Sequence, residues 1–563
     1  MVRVATSVNA SSHPSRSRAR AAAGVLGVVV IVTLAIFLDL GRPDFWDPGE
    51  SRYVETVREM LISGNWLEPT LGFVNYYDKP PGFFWMVGSA FALFGRTEWA
   101  ARLPSAIASV LTIALLVGFA WRRVGWRAAL GAGVILATAA QFVALGRSVR
   151  MDMVLTLLTT ATLLQAFVLC ERRTFPVTAA RPATWPLYAL PVVGLLIKGP
   201  VAVLLPAMVV IPFLLVTRTR PPLARLRPGT GTFLVLGMVV GWYAVAAVRA
   251  PDYLWTFLWQ HNFGRFVGRA LAGHQEPMYF FAWILPLTFL PWALFLPGAL
   301  PYALRRARRQ HRLATFLLAW CVVPFVFFSV ARAKLATYLL PIFPALALLV
   351  AIYLDRIVRA PAATRARALR FPALAWSLGM VAIAFGTPIG VAIAYPPFVR
   401  AALVTLPLAI FALVGWHCTR NARWQAIPVL VAGAALTTQI LFYRVGTPVV
   451  NAFSSLRTAA ELAHDLPAAT TIYAYKTRGH SFTYYGERTV LRVRSPEAAA
   501  EVLSRAQPTA VPVASSARRP SLNQGVPRPA CMTGLVAASR SKRCRPPTGA
   551  CWSWISERSW NPS

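Results

Sequence analysis

The sequence predicts an α-helical polytopic membrane protein, and three observations carry that prediction. Hydrophobic residues make up 56% of the chain and charged residues 14%, where a soluble domain carries about a quarter charged. The apolar residues gather in thirteen runs of roughly 18–22 residues, the length a helix needs to cross a bilayer core. The runs are apolar all round and lack the 3.6-residue amphipathic period of a soluble helix.

The net charge of +37 would suit a nucleic-acid binder, but the positions of the arginines exclude that class. They sit in short connections between apolar runs, as the positive-inside rule expects, where they can also meet anionic lipid headgroups. The acids are distributed differently. Of 20 Asp and Glu, seven fall between Arg42 and Lys79: Asp44, Asp47, Glu50, Glu55, Glu59, Glu68 and Asp78. One connection is therefore acid-rich, and it is the first place to look for chemistry.

Arg16, Arg18 and Arg20 precede the apolar run Ala21–Leu40. No small-residue cleavage site follows, so the run reads as an uncleaved anchor with residues 1–20 in the cytoplasm. Further spans are expected near 102–121, 127–146, 153–170, 183–197, 199–216, 231–249, 277–301, 313–331, 335–355, 372–394, 399–417 and 424–443. The run Pro81–Phe94 is short for a span and suits an interfacial or re-entrant helix. If it does not cross, the groups at Arg122/Arg123/Arg127, Arg172/Arg173, Arg218–Arg227, Arg305–Arg309, Arg356–Arg367 and Arg420/Arg423 all face the cytoplasm. That gives about 13 transmembrane helices within 21–443, with 41–101 as a first outer loop carrying juxtamembrane helices.

Residues 444–513 are polar, and the alternation in Thr471–Tyr475 and Thr489–Val493 predicts strands of a small α/β domain outside the membrane. Residues 514–563 show no periodicity and read as a disordered or aberrant, out-of-frame tail. The six cysteines form no metal-like pair and no disulfide framework.

This topology gathers Asp47, Glu50, Asp78, Lys79, Asp152, Lys198, His261, Arg265, Lys334 and Tyr338 at the outer face, and ionisable groups collected at one face imply a shared cavity. They fall in six motifs. Trp46–Tyr53 offers Asp47 and Glu50 as proton acceptors beside Arg52; Glu55 and Glu59, further along, read as the solvated side of a helix lying on the membrane. Tyr76–Pro81 presents Lys79 rigidly, either as a point charge for phosphate oxygens or as an interfacial anchor. Arg147–Asp152 lies at the mouth of a span. Leu196–Pro200 holds Lys198, a lone charge between two apolar runs and so a functional candidate by default. The fifth and sixth are Gln260–Phe266 and Ala333–Pro341. There is no Walker loop, dinucleotide fingerprint or Ser–His pair, so a donor would be a lipid-embedded phosphate and not a cytoplasmic nucleotide.

In this order the motifs resemble the bacterial branch of the protein O-mannosyltransferase superfamily, on the 4-amino-4-deoxy-L-arabinose lipid A transferase side. "RYVETVREMLISGNW", "YYDKPPGFFW", "LIKGP" and "AKLATYLLPIFPALALL" carry the resemblance, which covers roughly residues 30–345. It implies a GT-C fold and inverting transfer of a sugar, aminoarabinose or a related aminosugar, from undecaprenyl phosphate to lipid A or another acceptor at the periplasmic side of the bacterial inner membrane. It implies Lys79, Arg265 and Tyr338 as holders of the donor phosphate, and Glu50, Asp152 and Asp47 as candidate catalytic carboxylates. Arg52, Lys198 and Lys334 would line the cavity. Asp78 and His261 occupy the positions of a divalent-metal pair, zinc or magnesium, and two ligands alone make a weak site. The family commonly carries Asp-Glu before the Arg-Tyr pair, and here Gly49 stands where the Asp would be. The competing expectations are a related transferase of mannose or hexosamine acting on protein or another glycan, and a polyprenyl-lipid flippase. A flippase should show internal repeats and mid-membrane charges, and neither is apparent.

Overall fold

The computed structural model describes residues 13–46, 49–171, 184–219, 228–264, 275–454, 456–464, 466–467, 471–475, 479–488, 490–493, 495, 497 and 535–539. The chain forms two compact units. The first is Met1–Pro43 with Thr56–Val449, and the second is Asp44–Glu55 with Val450–Ser563.

The first unit is helical. Its elements are α1 (His13–Phe37), α2 (Ser51–Ser63, shared with the second unit), α3 (Gly82–Phe94), α4 (Glu98–Val124), α5 (Trp126–Thr138), α6 (Ala140–Gly146), α7 (Met151–Glu171), α8 (Pro186–Lys198) and α9 (Val201–Val216). Then come α10 (Pro228–Arg249), α11 (Phe280–Thr288), α12 (Leu296–Arg308), α13 (Arg312–Val330), α14 (Ala336–Val358), α15 (Ala362–Ala394), α16 (Pro396–Arg420) and α17 (Trp424–Asn451). Among the described residues nine helices are long and apolar enough to cross a membrane, or up to eleven when each of two bent pairs counts as one span. The chain is a multi-pass membrane protein. Every expected span has a helix, but α8 and α9, where 183–197 and 199–216 were expected to cross, have only 13 and 16 residues. The glycine and proline at 199–200 cut one long apolar stretch into two short helices that pack on each other. The run at 81–94 is the 13-residue α3, as its length implied.

The two bent pairs explain each other. α5 and α6 meet at 68°, and α11 meets the helical stretch Trp292–Arg308 at 111°. Backbone groups freed at a break need partners inside a membrane. Ala140 N–H donates to Leu290 O at 3.0 Å, Trp292 Nε1 donates to Thr138 Oγ1 at 2.9 Å, and Gln439 of α17 donates to Thr138 O at 3.0 Å. The end of α1 is satisfied similarly. Its last carbonyls would be orphans. Buried Arg147 donates to Ala35 O, Ile36 O and Leu38 O at 3.1, 3.1 and 2.6 Å, and buried Arg102 donates to Leu40 O and Pro43 O at 3.0 and 2.7 Å.

Charge separates along the helix axes. Arg123 at the end of α4 pairs with Glu171 at the end of α7 at 2.9 Å, and Arg312 at the start of α13 donates to Cys170 O at 3.3 Å. At the other end of α7, Asp152 in its first turn meets Lys198, the last residue of α8, at 2.7 Å. Arg123 and Arg312 thus lie at the opposite end of α7 from the Asp152–Lys198 pair.

In the second unit, residues 44–46 pack with the C-terminal segment. Asp44 N–H and Trp46 Nε1 both donate to Asn451 Oδ1, at 3.2 and 3.0 Å, and Phe45 N–H donates to the Tyr485 hydroxyl at 2.9 Å. α18 (Arg457–His464) and α19 (His480–Gly486) cover strands β1 (Thr471–Tyr475), β2 (Val490–Val493) and β3 (Leu535–Ser539), around a core of Leu456, Ala459, Ala460, Ala463, Ile472 and Phe482. The sheet order is β2-β1-β3. β1 pairs parallel to β2, with Ile472 opposite Val490, and antiparallel to β3, with Thr471 opposite Ser539. The Leu-Val-Ala-Ala-Ser stretch of β3 supplies backbone partners to an open edge of β1. The rest of the tail expected to be disordered from 514 onward lies outside the described residues.

Candidate active site

The acid-rich loop is ordered by a residue that the sequence left to solvent. Glu59 is fully buried, and Glu55 nearly so. The Glu59 carboxylate accepts from Thr70 Oγ1 at 2.6 Å, Gly72 N–H at 2.6 Å and Phe73 N–H at 2.9 Å. The loop closes with Thr70 bridged to Asn75. Trp85 Nε1 then donates to Trp66 O at 2.7 Å, which ties the loop to α3. The hydrophobic pattern of α2 showed two faces, and its polar face is covered by this loop instead of water.

The braced loop presents Asp78 and Lys79 just before α3. Among the described residues, buried Asp78 meets His261, Lys79 and Tyr76. Its Oδ1 lies 3.0 Å from His261 Nδ1 and 3.3 Å from Lys79 Nζ, and its Oδ2 accepts from the Tyr76 hydroxyl at 3.1 Å. Lys79 Nζ also donates to Asp78 O at 2.9 Å. His261 comes from the π-helical segment Trp255–Gly264, so residues far apart in sequence converge here.

The second cluster is Asp152, Lys198 and Tyr338. Asp152 Oδ1 accepts from Lys198 Nζ at 2.7 Å and Asp152 also bonds Thr337. Lys198 Nζ sits 5.5 Å from the centre of the Tyr338 ring, which leans on Phe328 at 5.3 Å. A cation over an aromatic face beside a carboxylate keeps a defined position. Close packing joins the two clusters. A Cβ on Gly82 would come within 2.7 Å of Leu196 O, and one on Gly199, whose φ is +81°, within 2.4 Å of the Phe257 ring. Tyr77 meets Tyr253 edge-on at 5.2 Å, within a cluster of Trp242, Tyr243, Tyr253 and Phe257. Sequence reading missed this aromatic wall, whose one local signal is Pro-Asp-Tyr directly after a span. Burial, with a smaller contribution from Asp78, raises the Tyr253 phenol pKa, so it stays a donor. Among the described residues its hydroxyl has no hydrogen-bond partner.

The other expected site residues lie as follows. Lys334 is buried, and its Nζ donates to Glu276 O at 2.6 Å; burial pulls its pKa below the usual lysine value. It fastens the connection before α11, whereas the resemblance implied a cavity-lining side chain. Glu50 is buried at the start of α2, where its carbonyl accepts from Tyr53 and Val54 N–H at 2.9 and 3.2 Å, and the Arg52 guanidinium is 5.1 Å from the Tyr53 ring. Both belong to the second unit. Asp47 and Arg265 lie outside the described residues.

The donor set at Asp78 and His261 suits a resident metal poorly. Among the described residues no group of three His, Cys, Asp or Glu could hold an ion. The two candidate ligands bond each other, and the Lys79 ammonium beside the shared oxygen would oppose a second cation.

Residues 78–244 match the family model described as dolichyl-phosphate-mannose-protein mannosyltransferase. The chain is 33% identical over 325 residues to the undecaprenyl phosphate-alpha-4-amino-4-deoxy-L-arabinose arabinosyl transferase of Aeromonas salmonicida, covering 56% of this chain and 57% of that one. It spans less than two thirds of that relative. Against the transferase of the same description from Edwardsiella ictaluri it is 32% identical over 440 residues, covering 74% of this chain and 78% of the relative. The crystal structure of ArnT from Cupriavidus metallidurans bound to undecaprenyl phosphate superposes with a TM-score of 0.73 at 23% identity, covering 91% of this chain and 97% of that one. That likeness shows the fold, the GT-C architecture that the resemblance implied.

Proposed function

Since the chain belongs to the family of undecaprenyl phosphate-alpha-4-amino-4-deoxy-L-arabinose arabinosyl transferases, we propose that it moves that aminopentose from undecaprenyl phosphate to lipid A, at the periplasmic face of the bacterial inner membrane. The observation that carries the reading is the joined pair of clusters at one end of the bundle, where Lys79 and Lys198 are each held in place by a carboxylate.

In this reading Lys79, with Arg265 and Tyr338, holds the donor phosphate. The C1–O bond to that phosphate breaks, and its electron pair leaves with undecaprenyl phosphate. An acceptor oxygen forms the new bond to C1 from the opposite face and inverts it. Preorganised positive charge aimed at the leaving phosphate supplies the main catalytic term. A lipid A phosphate is already anionic and needs little help from a base. Asp152, bonded to an ammonium at 2.7 Å, is a poor proton acceptor and orients Lys198 instead. The long prenyl chain has an apolar cavity of about 260 Å³ available, lined by Thr162 and Ala166 of α7, Leu187 and Val192 of α8 and Val203 of α9 among others, about 15 Å or more along α7 from Asp152. Asp78 and His261 suit a resident metal poorly, so a chelator should leave turnover unchanged.

The test is transfer by the purified protein in lipid nanodiscs, with undecaprenyl phosphate-linked aminoarabinose as donor and lipid A as acceptor, read by mass spectrometry. Wild type should transfer, and Lys79→Ala should not. Transfer only from a polyprenyl-phosphate mannose donor would favour a second reading, which the description of the matching family model supports.

A further inference from the structure

At the end of the bundle opposite the two clusters, α4, α5, α12, α13, α14 and α15 line an open cavity of about 670 Å³. Tyr338 lies at one end of α14 and Arg356 at the other, and 18 residues of helix separate them by about 27 Å. The cavity is therefore distinct from the proposed catalytic site. Its polar lining includes Arg123, Arg306, Arg356 and Arg359 against a single carboxylate, Asp355.

Two of these arginines are already neutralised: Arg123 by Glu171 at 2.9 Å and Arg359 by Asp355. The other two are not. Among the described residues neither Arg306 nor Arg356 meets a carboxylate. Arg306 donates to the Tyr302 hydroxyl at 3.1 Å, and the Arg356 guanidinium lies 5.5 Å from the ring of the same tyrosine. Among the described residues, two guanidinium groups converge on one phenol with no carboxylate between them. The neighbouring His311 does not add to the charge, because burial and Arg306 depress its pKa. Beside the arginines the lining turns apolar, with half-buried Val124 at the end of α4 and half-buried Ile352 in α14. Ile352 is four residues before Arg356, about 6 Å deeper along the helix.

We propose that this cavity binds the headgroup of an anionic phospholipid. The phosphodiester bridges Arg306 and Arg356, and an acyl chain lies against Val124 and Ile352, whose side chains are partly exposed. A basic pocket between spans suits such a headgroup. Free phosphate would satisfy the arginines and leave the apolar wall uncovered, so the two-part lining selects an amphiphile.

The experiment uses the full chain, purified with phosphatidylglycerol or phosphatidylcholine, and counts retained lipid by native mass spectrometry. Phosphatidylglycerol should be retained over phosphatidylcholine. Arg306→Gln/Arg356→Gln should lower its retention about ten-fold or more, and Arg306→Lys/Arg356→Lys should keep most of it. If the double Gln variant does not fold, the single Arg356→Gln, at an exposed position, should still lower retention about three-fold. Wild-type retention in the Gln variants, or equal retention of phosphatidylcholine, overturns the proposal. Displacement of the lipid by millimolar inorganic phosphate also overturns it, in favour of a soluble phosphate ligand.

Discussion

Asp152 and Lys198 hold each other at 2.7 Å with little exposure, and breaking such a pair from one side strands a charge. Lys198→Ala should therefore cost about 3–5 kcal/mol of stability as well as transfer activity. Asp152→Asn/Lys198→Met should recover much of the stability, seen as a higher Tm in detergent, and none of the activity. A double variant that still turned over would remove both residues from the site. Lys198 was legible in the sequence because a lone ammonium between apolar runs is expensive. Its partner, 46 residues earlier, was visible only as another candidate, since spacing alone does not say that α8 returns antiparallel to α7. Glu59 shows the opposite failure. An amphipathic helix looks the same whether water or a loop covers its polar face. Because it accepts three hydrogen bonds, Glu59→Ala should lower stability by about 3 kcal/mol or more. An unchanged Tm would mean that the loop is held by other contacts.

Among the elements, the turn between α8 and α9 is the most tightly specified. Gly199 has a φ of +81° and faces the Phe257 ring, so a side chain there is strained and also clashes. Gly199→Ala should destabilise by about 1–3 kcal/mol and reduce transfer by moving Lys198; shortening Phe257 in the same chain should relieve only the clash. Normal Tm and turnover in Gly199→Ala would contradict this. The existence of the turn could be read from Gly-Pro, but its consequence for span counting could not. Hydropathy sees two apolar stretches of nearly spanning length, whereas the helices stop at 13 and 16 residues. The bends at α5–α6 and at Leu290–Pro291 were equally hidden, because the bonds that make them tolerable join residues about 150 positions apart.

Within the first unit, charge separates along the helices. Arg123, Arg312 and Arg356 lie at one end and the Asp152–Lys198 pair at the other, the kind of separation that the positive-inside rule leads one to expect. Single cysteines at Arg356 and Asn75, in a background without the native cysteines, should react with impermeant thiol reagents from opposite sides of the membrane; labelling from the same side would contradict the arrangement. Sequence composition marked residues after 444 as a separate unit, but not that residues 44–55 belong with them, since that depends on single contacts such as Asp44 and Trp46 to Asn451. The claim that depends on all of these features is transfer to lipid A, and lipid A mass spectra test it most directly. The chain should be expressed in a lipid A-competent strain that lacks its own aminoarabinose transferase. Wild type should give a mass gain of one aminopentose on a lipid A phosphate, and Lys79→Ala should not. Unmodified lipid A, with the wild-type protein present in the membrane, would contradict it.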